Sequence, residues 1–444
     1  MLANLTALGY TRMTPIQAQS LPPILAGQDV IAQAKTGSGK TAAFAIGLLT
    51  ALAARDYCCQ ALVLCPTREL AEQVTQEVRR IARAEDNIKV LTLAGGVAMG
   101  PQVGSLEHGV QIVVGTPGRV QKHLLRGSLS LTNLRTLVLD EADRMLDMGF
   151  YDSIAAIMVQ APATRQTLLF SATWPAAIRQ LAKEMMREPV SISVDVAHDN
   201  GAITQRFYQI DADQRLPTVL AVLACYRPQS AVAFCFTRQQ CQQVSDYLNQ
   251  QGVSADALHG DMEQRDRDRV LVKFANRSLS VLVATDVAAR GLDIDTLDLV
   301  INVELGRDVD THIHRIGRTG RAGEKGMAIS LVAPPEQRRA DAIIERQGAI
   351  EWHPRSSLKA QPGGLPEASM ATLNIAAGRK DKLRPGDILG ALTGDAGLRG
   401  DQVGKISVLE QQAFVAVQRD MAEIALARLQ AGKIKGRSFR VRRV

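Results

Sequence analysis

Two short segments about a hundred positions apart carry residue types suited to phosphate chemistry. In the first, Gly37, Ser38 and Gly39 leave backbone N–H groups free at the predicted start of a helix, where an anion is bound by the helix N-terminus. Lys40 can neutralise β- and γ-phosphates, and the Thr41 hydroxyl can coordinate Mg²⁺. The glycine-rich stretch also includes Thr36, and its spacing predicts a nucleotide triphosphate site.

The second segment, residues 140–143, follows the apolar run 137–139, which predicts a buried strand. Asp140 is suited to holding Mg²⁺ and Glu141 to orienting and deprotonating water, the two tasks of in-line phosphoryl transfer. Without the glycine-rich loop, an acidic pair that caps the next helix would be the better interpretation. Asp143 has candidate partners in Ser171 and Thr173, whose hydroxyls could couple nucleotide state to domain closure.

A basic cluster lies far from these segments. His314, Arg318 and Arg321 fall within eight residues, and the two arginines are one helical turn apart if the segment is helical. Arginines from another domain could stabilise transition-state charge on a phosphate. A solvated basic helix face is the alternative.

Composition indicates several domains and an anionic partner. A chain of 444 residues is too long to fold around a single hydrophobic core, and no apolar run reaches membrane-spanning length. The net charge of +7 lies wholly in residues 371–444, which hold 14 basic and 7 acidic residues. A basic appendage on a neutral body predicts a polyanion partner. The amino terminus lacks a signal-peptide layout and the cysteines lack metal-site spacing, so we expect a cytoplasmic protein.

Short Val/Leu/Ile-rich runs alternate with helical patterns, first over 29–195 and again from 207. This alternation predicts α/β architecture with two doubly wound parallel sheets. The last 74 residues predict strand, helix, two strands, helix and strand, the order of a small α+β domain that binds RNA. The predicted domains are 1–198 and 204–350, a linker at 351–370, and 371–444.

Taken in order, these motifs resemble the DEAD-box RNA helicases, and the resemblance covers nearly all of residues 1–335. It implies two RecA-like domains and an RNA-stimulated ATPase that uses ATP and Mg²⁺. Gln17 matches the family's Q motif and would read adenine, because its amide can pair with N6 and N7. An aromatic residue that the family carries before this motif is absent here, which implies either a truncated start or weaker stacking on adenine. The resemblance also implies ATP contacts at Gly291 and Asp293 and a coupling role for His314.

The same resemblance implies RNA contacts that follow strand ends in both domains. Hydroxyls, backbone amides and an arginine suit phosphate contacts without base readout. The positions are Pro66, Thr67, Arg68, Gly95, Gly96, Thr116, Pro117, Gly118 and Arg119 in the first domain, and Thr237, Gln264, Arg267 and Thr285 in the second.

The basic tail resembles that of the bacterial DbpA group within this family. That resemblance implies a divergent RNA-recognition motif that binds a 23S ribosomal RNA hairpin during assembly of the large ribosomal subunit. Aromatic residues are sparse, so Phe414 is the single stacking candidate on its third strand, and cations would carry most of the binding. The candidate contacts are Lys405, Phe414, Lys433, Lys435 and Arg437, unless the cations form only a solvated tail.

Three other functions share parts of this pattern. An ATP-gated RNA clamp or chaperone would carry the same motifs, and strand displacement would separate it from a helicase. A DNA helicase is disfavoured by the Q motif and the tail, and a non-enzymatic adaptor would lack RNA-stimulated ATPase activity. We predict RNA as the partner, with no membrane and no obligate protein partner.

Overall fold

The computed structural model describes residues 2–34, 37–83, 85, 87–194, 203–289, 297–320, 326–394 and 397–444. These residues divide into two compact units. The first unit contains one parallel sheet with its helices. The second contains another parallel sheet and a small antiparallel sheet.

The first sheet has the strand order β3-β4-β2-β5-β6-β1-β7. Strands β2, β4 and β5 are buried at every position, because helices cover both faces of the sheet. Its strands are β1 (Val30–Gln33), β2 (Ala61–Leu64), β3 (Val90–Leu93), β4 (Ile112–Gly115), β5 (Thr136–Leu139), β6 (Gln166–Ser171) and β7 (Val190–Ser193), and its helices are α1 (Leu2–Ala7), α2 (Pro15–Leu25), α3 (Lys40–Ala51), α4 (Arg68–Ala82), α5 (Met99–Glu107), α6 (Pro117–Leu125), α7 (Ala142–Asp147), α8 (Tyr151–Gln160) and α9 (Ala176–Met185).

The second sheet repeats this arrangement in the order β10-β11-β9-β12-β13-β8-β14. Its strands are β8 (Ile203–Gln209), β9 (Ala231–Cys235), β10 (Ala255–Leu258), β11 (Val281–Thr285), β12 (Leu299–Asn302), β13 (Gly326–Val332) and β14 (Glu351–Pro354), and its helices are α10 (Arg215–Tyr226), α11 (Arg238–Gln250), α12 (Gln264–Ala275), α13 (Asp286–Ala289), α14 (Val309–Ile316) and α15 (Gln337–Gln347).

The small sheet has the order β16-β17-β15-β18 and pairs antiparallel throughout. Two helices cover one of its faces, where Leu373, Val415 and Leu429 belong to one apolar core. Its elements are β15 (Met370–Ile375), α16 (Pro385–Thr393), β16 (Val403–Val408), β17 (Ala413–Gln418), α17 (Ala422–Ala431) and β18 (Val441–Arg443). The predicted fold class, two doubly wound parallel sheets followed by a small α+β domain, is confirmed.

Two details of the predicted layout were wrong. The predicted linker begins at residue 351, but Glu351–Pro354 is an edge strand that pairs parallel with β8. Ring contacts hold this strand, since Trp352 packs edge-to-face on Phe207 at 5.1 Å and His353 stacks on Tyr208 at 5.4 Å. A helix through the arginine cluster was also expected, but α14 ends at Ile316, before Arg318. Among the described residues, none of the helices has both the length and the apolar character to cross a bilayer.

Candidate active site and RNA-binding surfaces

The predicted functional loops of the first domain follow the carboxyl ends of its strands, where ligands bind in open α/β sheets. Strands β5, β6 and β1 are neighbours, and they lead into the acidic segment, residues 171–173 and the glycine-rich loop. Strands β3, β4 and β2 are also neighbours, and the predicted RNA segments follow them. One edge of the sheet thus carries the candidate nucleotide loops on one half and the candidate RNA segments on the other.

The glycine-rich loop is shaped for phosphate. Gly37 and Gly39 have φ of 83° and 93°, a left-handed conformation that glycine adopts without strain. Gly39 caps α3, so the helix N-terminus faces the loop. The buried Ser38 Oγ has no hydrogen-bond partner within the described chain, which is expected of a hydroxyl that bonds to a phosphate oxygen. Lys40 is buried, and its Nζ donates to Ala34 O at 2.8 Å.

Gln17 lies against this loop with both ends of its amide engaged. Its Oε1 accepts from Thr14 N at 2.9 Å, and its Nε2 donates to Gly39 O at 3.0 Å. A Cβ added at Gly39 would lie 2.5 Å from that Nε2, so only glycine permits this approach. Gln17 therefore links α2 to the phosphate loop. Bidentate adenine reading stays a prediction and would require these two bonds to be exchanged.

Asp140 and Glu141 are both buried at the end of β5. Burial raises the pKa of Asp140 to about 6, although the Lys40 charge acts in the opposite direction. Asp140 Oδ1 accepts from Glu141 N at 3.0 Å. Glu141 has φ of 51°, which is a strained backbone for a residue with a side chain. Strain of this kind is typical of functional positions.

Asp143 bonds to Thr173 as predicted. Its Oδ2 accepts from Thr173 N at 2.9 Å and from Thr173 Oγ1 at 2.8 Å. Ser171 Oγ instead donates to Thr173 O at 2.7 Å. Ser171 therefore acts on Asp143 only through Thr173, and the acidic segment is tied to the end of β6.

The candidate RNA segments of the first domain sit at helix starts. Thr67 caps α4, with its Oγ1 accepting from Leu70 N, and Thr116 precedes α6, which begins with Pro117. Arg68 has a buried Nη1 without a hydrogen-bond partner among the described residues. A buried guanidinium nitrogen of this kind suits a phosphate oxygen. Gly96 is exposed with φ of 77°, so its backbone is accessible.

Arg119 is held by two hydrogen bonds within the protein, and its predicted phosphate contact stays a prediction. Its Nη1 donates to Gln102 Oε1 at 2.9 Å and its Nη2 to Val97 O at 3.0 Å. Both terminal nitrogens thus bond to the chain itself. Gln102 was missed by sequence reasoning, because a lone glutamine in a polar helix carries no distinguishing pattern.

In the second domain the candidate RNA residues follow β9, β10 and β11, three neighbouring strands. Thr237 is exposed at the start of α11, and Thr285 ends β11 and is buried. Gln264 begins α12, and its Nε2 donates to Asp268 Oδ1 at 2.8 Å. Arg267 lies on the same helix. The two domains therefore present candidate RNA residues at equivalent halves of their sheets.

Arg315 organises the loops beside these residues, and its role was not predicted. It is 2% exposed and makes a bidentate ion pair with Asp286, with nitrogen–oxygen distances of 2.6 and 2.8 Å. Its Nη1 donates to Asn302 Oδ1 and to Glu304 O. Its guanidinium also lies 5.1 Å from the centre of the Phe234 ring. One cation thereby fixes the ends of β11 and β12.

Arg318 follows the end of α14 and is half-buried. Its neighbour Thr319 bridges to Leu297, which directs the chain away from a helical path. His314 is half-buried, and its Nδ1 has no hydrogen-bond partner in the part of the chain that the structure describes. Four predicted site residues lie outside the described residues: Thr36, Gly291, Asp293 and Arg321.

Three predicted cations of the C-terminal domain lie together on a tight hairpin between α17 and β18, here called the basic hairpin (residues 433–437). Ile434 and Arg437 exchange two backbone hydrogen bonds across Lys435 and Gly436, both with positive φ. Lys433, Lys435 and Arg437 are exposed. Lys435 Nζ also donates to Lys382 O at 3.0 Å. Lys405 is exposed on β16, apart from the hairpin in sequence.

Phe414 lies on the sheet face opposite the helices, here called the open face (Thr372, Asn374, Phe414 and Ala416). All four residues are buried, and Phe414 is only 1% exposed. Thr372 Oγ1 lies 3.2 Å from Asn276 Nδ2 and 2.6 Å from Ser278 Oγ, in the segment between α12 and β11. The open face is therefore closed to bases in this arrangement, and base stacking on Phe414 stays a prediction.

Comparison with known proteins gives these surfaces a common context. Residues 14–181 match the DEAD/DEAH box helicase family, 214–323 the helicase conserved C-terminal domain, and 372–443 the DbpA RNA binding domain. The chain is 54% identical over 444 residues to the ATP-dependent RNA helicase DbpA of Escherichia coli strain K12, covering 99% of this chain and 96% of the relative. The chain belongs to the DEAD-box RNA helicases.

Other relatives support the same assignment for this helicase. It is 41% identical over 344 residues to the DEAD-box ATP-dependent RNA helicase CshA of Bacillus subtilis strain 168, covering 77% of this chain and 69% of the relative. The solved structure of S. cerevisiae Dbp5 bound to RNA and ADP BeF3 covers 80% of the helicase and 93% of the Dbp5 chain, with a TM-score of 0.73 and 31% identity. The helicase is therefore an ATP-dependent RNA helicase with a DbpA-type RNA-binding domain.

Proposed function

We propose that the helicase locally unwinds short RNA duplexes in a Mg²⁺-dependent ATPase cycle, and that its C-terminal domain directs it to a 23S ribosomal RNA hairpin during large-subunit assembly. The proposal of ATP-driven unwinding is supported by one sheet edge that holds both the candidate nucleotide loops and the candidate RNA loops. Because the two halves share neighbouring strands, a change at the nucleotide can alter the RNA side through short, rigid connections.

In this proposal Thr41 and Asp140 hold Mg²⁺, which neutralises charge on the β- and γ-phosphates when bound. Lys40 leaves Ala34 O and binds the phosphates, while Gly37 and Gly39 present backbone N–H groups. Glu141 accepts a proton from the attacking water, and its strained backbone holds the carboxylate at the strand end. The donor set is oxygen-based, as Mg²⁺ requires.

The second domain contributes cations to the same reaction. Arg318, with Arg321, is proposed to reach the γ-phosphate, where such arginines are worth roughly 10³–10⁵ in rate. Asp143, Thr173 and His314 are proposed to report nucleotide state to the RNA side. Bound single-stranded RNA would be gripped through its backbone by loops of both domains, which disfavours a continuous duplex.

The basic hairpin carries the targeting part of the proposal. Three exposed cations on five residues, in a domain of the DbpA type, form a compact surface for phosphates. The residues of the open face are buried, so bases cannot stack there, which favours the basic hairpin as the RNA-binding surface.

Replacement of the hairpin cations tests targeting. Lys433→Gln, Lys435→Gln and Arg437→Gln together should raise the RNA KM of the ATPase at least about tenfold for a 23S hairpin fragment, and reduce the slope of log affinity against log salt by about 2 to 3. The KM for an unstructured RNA should stay within about twofold. Arg399→Gln, an exposed arginine of the same domain, is the matched control. Equal loss on both RNAs would contradict targeting.

A strand-displacement assay tests unwinding. Displacement of a short RNA duplex that requires ATP and Mg²⁺ is the expected result. Closure on RNA without displacement would favour an RNA clamp or chaperone, and equal stimulation of ATPase by DNA would contradict RNA selectivity.

A further inference from the structure

Gln102 is a buried amide between two candidate RNA segments of the first domain. It lies on α5 and is 6% exposed. Its Nε2 lies 3.3 Å from Ala94 O, directly before the Gly95-Gly96 loop. Its Oε1 accepts from Arg119 Nη1 at 2.9 Å. One side chain therefore joins the loop after β3 to the segment after β4.

His123 completes this cluster from α6. It is fully buried, with its Nε2 3.0 Å from Gln102 Oε1 and its Nδ1 2.8 Å from Ser128 Oγ. Burial, and then the charges of Arg119 and Arg126, lower the pKa of His123. Arg119 supplies the cation that Gln102 Oε1 faces.

Arg119 connects the cluster to the glycine loop a second time, through its bond to Val97 O. One terminal nitrogen of Arg119 thus bonds to Val97, next to the glycine loop, and the other bonds to Gln102 in α5. Glycine loops have many accessible backbone conformations, so a loop that binds a ligand through its backbone gains from being held. Satisfied buried polar networks supply that rigidity.

We propose that Gln102, together with Arg119 and His123, is a positioning residue that fixes the separation of the Gly95-Gly96 loop from the start of α6 (residues 116–118) for binding of consecutive RNA phosphates. This inference rests on the proposed RNA contacts of those two segments. It assigns Arg119 to a bridge between loops rather than to a phosphate.

The main test is the ATPase of the full chain with a single-stranded RNA oligonucleotide. Gln102→Ala should raise the RNA KM about ten- to a hundredfold, while kcat at saturating RNA and the KM for ATP stay within about twofold. A general folding defect would instead move the ATP KM or the melting temperature. Gln180→Ala, an exposed glutamine of the same domain bonded only to Glu184 in the described chain, should change none of these values.

Variants of Arg119 distinguish a bridging role of this residue from a direct phosphate contact. They also test the proposal if Gln102→Ala does not fold. Lysine keeps the charge but cannot make both bonds, so Arg119→Lys should raise the RNA KM as much as Arg119→Gln does. The salt slope should stay unchanged in Arg119→Gln, whereas loss of a direct contact would reduce it by about 0.7. Full activity of Arg119→Lys would overturn the proposal.

Gly118→Glu identifies which proposal fails. A Cβ at Gly118 meets nothing within 4 Å, so the acid projects into open space beside the proposed phosphate site. A raised RNA KM in this variant with a normal KM in Gln102→Ala would overturn the positioning role alone. Normal values in both would overturn the RNA contacts of this half as well.

Discussion

Glu141→Gln should lower the RNA-stimulated ATPase kcat by roughly 10²–10⁴-fold, the usual contribution of a positioned general base. Glutamine has the same size and can hold water, but it cannot accept the proton. The backbone conformation at φ of 51° is equally strained for both residues, so the fold should be retained. ATP affinity should stay within about twofold, because Lys40 and the glycine loop make the proposed phosphate contacts.

Steady-state ATPase at saturating RNA and fluorescent ATP-analogue binding check this prediction. Asp147→Asn, on the same short helix but ion-paired to Arg144 and half-exposed, is the matched control and should keep its activity. Retained turnover in Glu141→Gln would mean that another group activates the water.

Arg315→Met should destabilise the second domain by about 3–5 kcal/mol, the cost of leaving a buried ion-pair partner uncompensated. Asp286 would lose two charge-assisted bonds, and Asn302 Oδ1 and Glu304 O would lose their donor. Methionine keeps much of the side-chain length, so the effect isolates the polar contacts from packing.

Urea unfolding can follow the second domain alone. The chain has two tryptophans, and Trp352 packs on the second sheet, so a Trp174→Phe background leaves one local fluorophore. Arg346→Met removes an exposed ion pair with Asp310 and should cost less than about 1 kcal/mol. Adding Asp286→Asn to Arg315→Met should cost less than the sum of the single changes, since the two residues share one interaction. Additive effects would contradict the network.

Much of the fold was predictable because buried parallel strands appear in the sequence as continuous apolar runs. β2, β4 and β5 are examples, and every position in them is buried. The nucleotide loop and acidic segment were equally visible, since their chemistry depends on contiguous residues. β10 was missed because Asp256 interrupts its apolar run, and β14 was missed because Glu351–Pro354 is a polar edge strand held by ring contacts distant in sequence.

The site was less predictable where it depends on distant partners. Gln102, Arg119 and His123 meet only after α5 and α6 pack together, and no spacing in the sequence reports it. Phe414 shows the same limit, because the sequence marks it as a stacking candidate on its strand but does not report that this face of the sheet is covered. The helical placement of Arg318 was wrong, because the helical sequence pattern continues past Ile316, where α14 ends.

Because its open face is covered, the C-terminal domain is docked on the second domain and is not a freely tethered module. The hydrogen bonds of Thr372 to Asn276 and Ser278, with the bond from Met370 N to Arg277 O, join the small sheet to the second domain within one compact unit. A flexible tether would let the basic hairpin search a sphere around the core. A docked domain instead acts as a fixed arm, so under the proposed targeting an RNA structure bound by the basic hairpin would move with the second domain, at a set distance from β9, β10 and β11. The reach of that arm, rather than the length of a linker, then determines which part of the bound RNA the helicase can act on.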